Sequence, residues 1–246
     1  MKQHFLINNK IVNKINQKYY PNTRDELDEI ISCLINDGIY NLNCIDTSKI
    51  INMNYLFQSI PVEAQKELDI SDWDVSNVIS MDYMFWGDRF FNSDISNWNV
   101  SNVKTMQNMF ASCDNFNCDI SNWDVSNVEN MYSIFYHCLS FNQPIYKWNV
   151  SNVKNMGYML SYCDNFNQPL DCWDVSNVET MEHMFFGSLK FDQYIGNWNI
   201  SNVDNMEYMF AYCRSFSGKG LKNWNLDNIH KKERMFSCCN FLKMTY

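Results

Sequence analysis

Apolar and polar positions recur along this chain with a fixed period. Trp returns at intervals of 25, 25, 25, 25, 25 and 26 residues. The seven positions are Trp73, Trp98, Trp123, Trp148, Trp173, Trp198 and Trp224. Met follows eight residues after each of the first six, and Phe recurs farther along. A period of this length predicts structural repeats that stack on one another, each buried by its neighbours.

Two shorter patterns lie within each repeat. In Trp173-Asp-Val175 the alternation has period two, which predicts a short strand with Trp and Val facing inward. Val153, Met156 and Leu160 have the spacing of one helical face. The run from Leu170 to Asn177 resembles the leucine-rich pattern, with its Asn one residue early. We therefore predict an α/β solenoid, a leucine-rich-repeat-like right-handed coil of about eight rungs. Short parallel strands would form one face and short helices the other.

The beginning of the chain departs from the repeat. Thr23 and Glu26 have the spacing of a helix capping box, apolar residues follow at helical intervals, and Gly38 is a stop signal. Residues 23–41 are thus predicted to hold a capping helix, over 23–37. Residues 42–246 would form the repeats, with degenerate first and last copies. Residues 1–22 form a separate N-terminal segment, where 5–12 are compatible with a hairpin.

Composition and charge restrict the choice of function. The chain has 46% hydrophobic residues, enough for a continuous core, and a formal charge of −9 with a pI near 4.8. Nucleic-acid binders concentrate Lys and Arg, so DNA and RNA are not expected partners. The N-terminal sequence has neither a signal-peptide core nor a spanning helix, which favours an intracellular location without a membrane span.

Cysteine is the residue type that most invites a chemical role. Of ten Cys residues, five occupy one repeat position, and Ser188 takes that position in another repeat. These five are Cys113, Cys138, Cys163, Cys213 and Cys239. Stacking alone produces such a column, and no C-x-x-C pair is present, so buried thiols are predicted in place of a metal site. The four His residues do not recur, and neither a phosphate loop nor a nucleophile elbow occurs. We expect no catalytic residues, metal or cofactor.

Several segments carry a resemblance to a known repeat family. They are Leu42–Ile50, Met109–Asn117 with its M-F-x-x-C-x-x-F-N sequence, and Asp119–Met131 with D-I-S-x-W-D-V-S-N-V-x-x-M. The chain resembles the bacterial surface-protein repeat of about 25 residues found in listerial and mycoplasmal lipoproteins, a relative of BspA-type leucine-rich repeats. Similar repeats occur in large DNA viruses and protists. The resemblance implies a leucine-rich-like solenoid, an association with surface recognition, and no catalytic residues.

These observations lead to a function in recognition. We expect a non-enzymatic scaffold that binds a protein partner through the outward positions of the predicted strands. These positions, named here the Asx column, are Asp74, Asn99, Asp124, Asn149, Asp174 and Asn199. Their regular spacing would preorganise them for binding. The alternative is a surface or virion-associated adhesin or structural protein that binds glycans or host proteins. Positions such as Tyr158 and His183, which vary between repeats, are a second candidate for specificity, and the oligomeric state stays open.

Overall fold

A computed structural model describes residues 17–58 and 60–239. Within them, helix α1 spans Arg24–Asn36, helix α2 spans Val62–Glu67, and a 3₁₀ helix spans Leu221–Asn223. None of the helices in the described residues is long and apolar enough to cross a bilayer. The hairpin considered for residues 5–12 lies outside the described residues.

Helix α1 confirms the predicted capping helix. Thr23 is its N-cap, and its hydroxyl accepts a hydrogen bond from the Glu26 amide at 3.2 Å. The Glu26 carboxylate in turn accepts the Asn22 amide at 2.7 Å. The helix ends before Gly38, whose φ of 75° is the left-handed conformation that glycine adopts at low cost. Its apolar face, including Leu27, joins the same continuous core as the repeats.

The repeats are joined by single parallel bridges. One residue per repeat pairs with its equivalent in the next. The chain of bridged residues runs through Asn52, Ser80, Thr105, Asn130, Asn155, Thr180, Asn205 and Lys231. Among the described residues no strand extends beyond one such bridge, and no α-helix follows Glu67. The predicted α/β solenoid of leucine-rich type, with parallel strands on one face and helices on the other, is therefore wrong.

The segment predicted to be helical is a succession of tight turns. The amides of Met156, Tyr158 and Leu160 donate to carbonyls of the following repeat at 2.8 to 3.0 Å. The amides of Met159 and Ser161, which alternate with these, close turns onto the residue three positions earlier, at 3.2 and 3.1 Å. An α-helix needs every amide for its own chain, four residues back. Here every second amide points to the neighbouring repeat. The apolar residues are three and four positions apart because the first and last residues of each turn are both buried.

The segment predicted to be a strand is too short to pair. The amide of Trp173 closes a turn onto the carbonyl of Leu170, and the amide of Val178 closes another onto Val175. Trp173 and Val175 are buried and Asp174 is exposed, so the predicted direction of these side chains is confirmed. Three extended residues between two turns leave no length for a ladder of backbone hydrogen bonds.

The core consists of columns of like residues. The seven Trp side chains that recur with the repeat are buried, and each of their indole N–H groups donates to a backbone carbonyl in the preceding repeat, as from Trp148 to Ile120 at 3.0 Å. Phe rings stack from repeat to repeat, with Phe110 and Phe135 at 5.8 Å and 2° between planes. The five Cys residues predicted to be buried are buried, which confirms that placement. Each thiol donates to a carbonyl of the preceding repeat, as from Cys138 to Phe110 at 3.0 Å.

Candidate functional site: an exposed aromatic face

Nine aromatic side chains from four consecutive repeats form a continuous network on the surface. They are Tyr132, Tyr136, His137, Tyr158, Tyr162, His183, Phe186, Tyr208 and Tyr212, named here the aromatic face. Each ring lies within 6.3 Å of at least one other. Tyr162 and Tyr212 are 37% and 46% exposed, and the other seven side chains are partly exposed. Contiguous exposed apolar surface of this kind marks interaction sites in soluble proteins.

The turns position these side chains. In each repeat the second residue after the first Met has a positive φ, as at Tyr158 with 55° and His183 with 53°. A further left-handed residue follows four positions later, as at Tyr162 with 57° and Tyr212 with 62°. Left-handed backbone costs a residue with a side chain roughly 1 to 2 kcal/mol, because Cβ approaches the following carbonyl. The hydrogen bonds between repeats impose this conformation, since Asn108 adopts it in the same column with a φ of 54°.

The rings have two arrangements. Tyr158, His183 and Tyr208 stack face to face in successive repeats, with ring centroids 4.4 and 4.8 Å apart. Phe186 instead meets Tyr162 and Tyr212 edge-on, each at 5.2 Å. Stacked and edge-on pairs are both favourable for aromatic rings. The face therefore holds its shape through its own contacts.

One glycine makes room for the network. Gly187 lies beside the ring of Tyr162, and a Cβ at Gly187 would be 2.8 Å from its Cδ1 atom. The φ of Gly187 is 70°, so both its backbone and its surroundings favour glycine. Tyr162 packs closely against the main chain only because this position has no side chain.

Carboxylates accompany the rings. Glu182 and Glu207 immediately precede His183 and Tyr208, in the first position after the first Met. Burial, followed by the neighbouring Tyr132 and Glu182, raises the pKa of Tyr158. Burial lowers the pKa of His183 below its usual value, although Glu182 and Glu207 oppose this. At neutral pH the stacked rings of Tyr158 and His183 are therefore uncharged.

One cation of the chain already lies at the end of this network. Arg234 occupies the same left-handed column as Tyr158, His183 and Tyr208, with a φ of 55°. Its guanidinium lies 5.7 Å from the ring centroid of Tyr208, and its Nη1 donates to the Tyr208 hydroxyl at 3.0 Å. The geometry is a cation–π contact combined with a hydrogen bond.

The Asx column lies in a different turn of each repeat. All six side chains are exposed, and each accepts the backbone amide two residues later, as from Ser126 to Asp124 Oδ1 at 3.0 Å. Asp and Asn make the same bond, as Asn149 does with Ser151 at 3.2 Å. One oxygen of each residue therefore stabilises its own turn. Whether the other polar atoms bind a partner stays a prediction.

The sequence offered Tyr158 and His183 as variable positions that are a second candidate for specificity, and His137 only as a residue that does not recur. The structure brings all three into the aromatic face. Aligning the repeats on their first Met shows that the second and sixth following positions carry Tyr or His in most later repeats. In residues 17–58 and 60–239, no group of three or more His, Cys, Asp and Glu side chains is placed to hold a metal ion.

The repeat position of the five buried Cys residues holds an acidic residue in one repeat, which the sequence analysis did not single out. Asp88 occupies the position of Cys113 one repeat earlier, and it is fully buried. Neither of its carboxylate oxygens has a hydrogen-bond partner among the described residues. Burial raises the pKa of Asp88 to about 8.

The chain belongs to the repeat family described as mycoplasma protein of unknown function, DUF285. Two matches cover residues 52–172 and 142–245, which together span most of the chain. This supports the predicted membership of a repeat family. No curated protein and no solved structure matches the chain.

Proposed function

We propose that this protein is a non-enzymatic recognition scaffold that binds a protein partner through the surface of its stacked repeats. The observation that carries the proposal is the aromatic face, in which nine partly exposed rings from four repeats are held in one network. Tyr and Phe are enriched where proteins bind one another, because they bury much area with few rotatable bonds.

The rigidity of the scaffold supports the same proposal. Backbone hydrogen bonds between repeats fix the turns on both sides of each ring, as from Tyr162 to the Phe186 carbonyl at 2.7 Å. Groups ordered before binding lose less entropy when a partner arrives.

Within the repeat family, the recurring W-D-V-S-N-V segments support a closer kinship with BspA-type surface-protein repeats, which forms part of this proposal.

Site-specific photo-crosslinking tests the function and distinguishes the two candidate surfaces. A photoreactive phenylalanine analogue replaces Tyr212 in the aromatic face, Asp124 in the Asx column, or Tyr146 as a control. Tyr146 is 39% exposed and lies outside both surfaces. Each variant is irradiated in an extract of the native host, and adducts are identified by mass spectrometry.

We expect a discrete protein adduct from the Tyr212 variant and none from the Tyr146 variant. Adducts from the Asp124 variant alone would assign the partner to the Asx column. The absence of a protein adduct at both positions would contradict the function itself.

A further inference from the structure

We propose that the aromatic face binds arginine side chains of a basic polypeptide segment. This inference rests on the proposed function and names the chemistry of the partner. Arg234 supplies the geometry, because its guanidinium already lies on the ring of Tyr208 and bonds to its hydroxyl. His183 is stacked on both sides, so the ring surface left for further cations is that of Tyr162 and Tyr212, the most exposed members of the face, on which no cation lies among the described contacts.

Charge favours a cationic partner. The formal charge of the chain is −9. Glu182 and Glu207 directly precede His183 and Tyr208, and both carboxylates are close enough to act electrostatically on His183. A ring face with a nearby carboxylate suits a cation, because the quadrupole and the negative charge attract it together.

The planar shape of the guanidinium favours arginine over lysine. It stacks on aromatic rings and keeps its in-plane N–H groups free for carboxylates and hydroxyls. An ammonium group is a strongly hydrated point charge and loses more hydration at such a surface. Arginine and lysine peptides of equal charge therefore distinguish stacking from simple attraction to an acidic protein.

The test measures fluorescence anisotropy with labelled nona-arginine and nona-lysine peptides at 0.15 M salt. The full chain is compared with the double variant Tyr158→Asn, Tyr162→Ser. Asn108 and Ser112 occupy these two columns in an earlier repeat with φ values of 54° and 62°, so the exchanged residues are compatible with the backbone. Tyr146→Ser is the matched control, since Ser121 fills its position one repeat earlier.

A second comparison separates local charge from net charge. Glu182→Gln with Glu207→Gln, and Asp124→Asn with Asp174→Asn, each remove two negative charges. The second pair keeps its turns because Asn149 makes the bond that Asp124 makes. Circular dichroism confirms that each variant folds.

We expect the arginine peptide to bind at least tenfold more tightly than the lysine peptide. The Tyr158→Asn, Tyr162→Ser variant should lose most of this difference, while Tyr146→Ser should keep it. Neutralising Glu182 and Glu207 should weaken arginine binding at least threefold more than neutralising Asp124 and Asp174.

Other results would overturn the inference. Equal affinity for the two peptides, or arginine binding that survives loss of the two tyrosines, would show that the rings do not select arginine. Equal effects of the two charge changes would contradict a role for Glu182 and Glu207. Binding of neutral cellohexaose at the face in place of the peptides would point to a glycan. If these occur while a protein still crosslinks at position 212, the arginine chemistry fails and the function stands. Peptide selectivity without any protein adduct would instead count against the function.

Discussion

At the scale of single residues, Asp88 is the largest departure from the repeat. Equivalent positions hold Cys or Ser, each donating a hydrogen bond to a carbonyl of the preceding repeat, as from Cys113 to Phe85 at 3.1 Å. Asp88 is equally buried, but its carboxylate oxygens lack partners among the described residues. Because a buried charge without a partner is costly, the acid form is favoured in the folded protein.

Replacing Asp88 by Asn should change how stability depends on pH. The folded pKa of about 8 exceeds the unfolded value near 4. The folded state therefore holds a proton that the unfolded state loses, and stability falls as pH rises from about 4 to about 8. Between pH 5 and 7.5, the wild-type free energy of unfolding should decrease by on the order of 3 kcal/mol relative to Asp88→Asn. Urea melts at several pH values measure this; parallel curves would show that Asp88 does not stay protonated.

The Trp column offers a second test at this scale. Trp148 is 3% exposed, and its indole N–H donates to Ile120 O at 3.0 Å. Trp148→Ala should lower the free energy of unfolding by about 3 to 5 kcal/mol, the usual range for a buried aromatic residue. Tyr146→Ser, two residues away and exposed, should stay within about 0.5 kcal/mol of the wild type. A loss below about 1 kcal/mol for Trp148→Ala in denaturant melts would contradict the burial of this column.

At the scale of the element, the repeating unit is a series of tight turns that contains left-handed residues. Two glycines in one of these columns form a matched pair. Gly87 and Gly187 have φ values of 81° and 70°. A Cβ at Gly87 would meet nothing within 4 Å, whereas one at Gly187 would collide with Tyr162. The two sites thus share backbone strain and differ in packing.

Alanine at these two positions should separate strain from packing. Gly87→Ala should cost roughly 1 to 2 kcal/mol, the penalty of left-handed backbone. Gly187→Ala should cost about 1 kcal/mol more, because Tyr162 must leave its edge-on contact with Phe186. In the Tyr162→Ser background that excess should disappear in a double-mutant cycle of denaturant melts. Equal costs at the two glycines would show that Tyr162 does not pack against Gly187.

At the scale of the whole molecule, each repeat contacts its neighbours in the same way. Deleting residues 126–150 joins Val125 to Ser151 and restores the native W-D-V-S-N-V sequence. This variant should fold, with a circular dichroism spectrum of the same shape and a denaturant m-value reduced in proportion to the 25 residues removed.

A deletion of residues 126–145 is the control for that experiment. It shifts every later column by five positions relative to the earlier ones, so Trp and Phe no longer align with their equivalents. Cooperative unfolding should be lost or strongly weakened. If both deletions fold equally well, alignment of the columns does not determine stability.

The candidate site could be foreseen only in part. The exposure of Asp124 and its equivalents follows from period two, and the structure confirms it. Of the aromatic face, the sequence offered only Tyr158 and His183 as variable positions; the network they form was not predicted, because different residues occupy one repeat position and a pattern search rewards identity. Their proximity depends on the stacking distance and on left-handed turns, neither of which leaves a residue signature when Tyr, His, Asn and Ser all occupy the same column.

The period, the capping helix, the inward direction of Trp and Val and the burial of the five repeated Cys residues follow from the residue pattern alone. Burial of like residues in register requires only that equivalent positions recur, and Trp148 and Cys138 recur with their neighbours. The backbone between those positions depends on how the repeats pack against one another. Apolar spacings of three and four fit both a helix and a series of turns, and the choice depends on where each amide finds its acceptor. The amide of Tyr158 finds the carbonyl of Glu182 in the next repeat, a partner that exists only once the repeats have stacked.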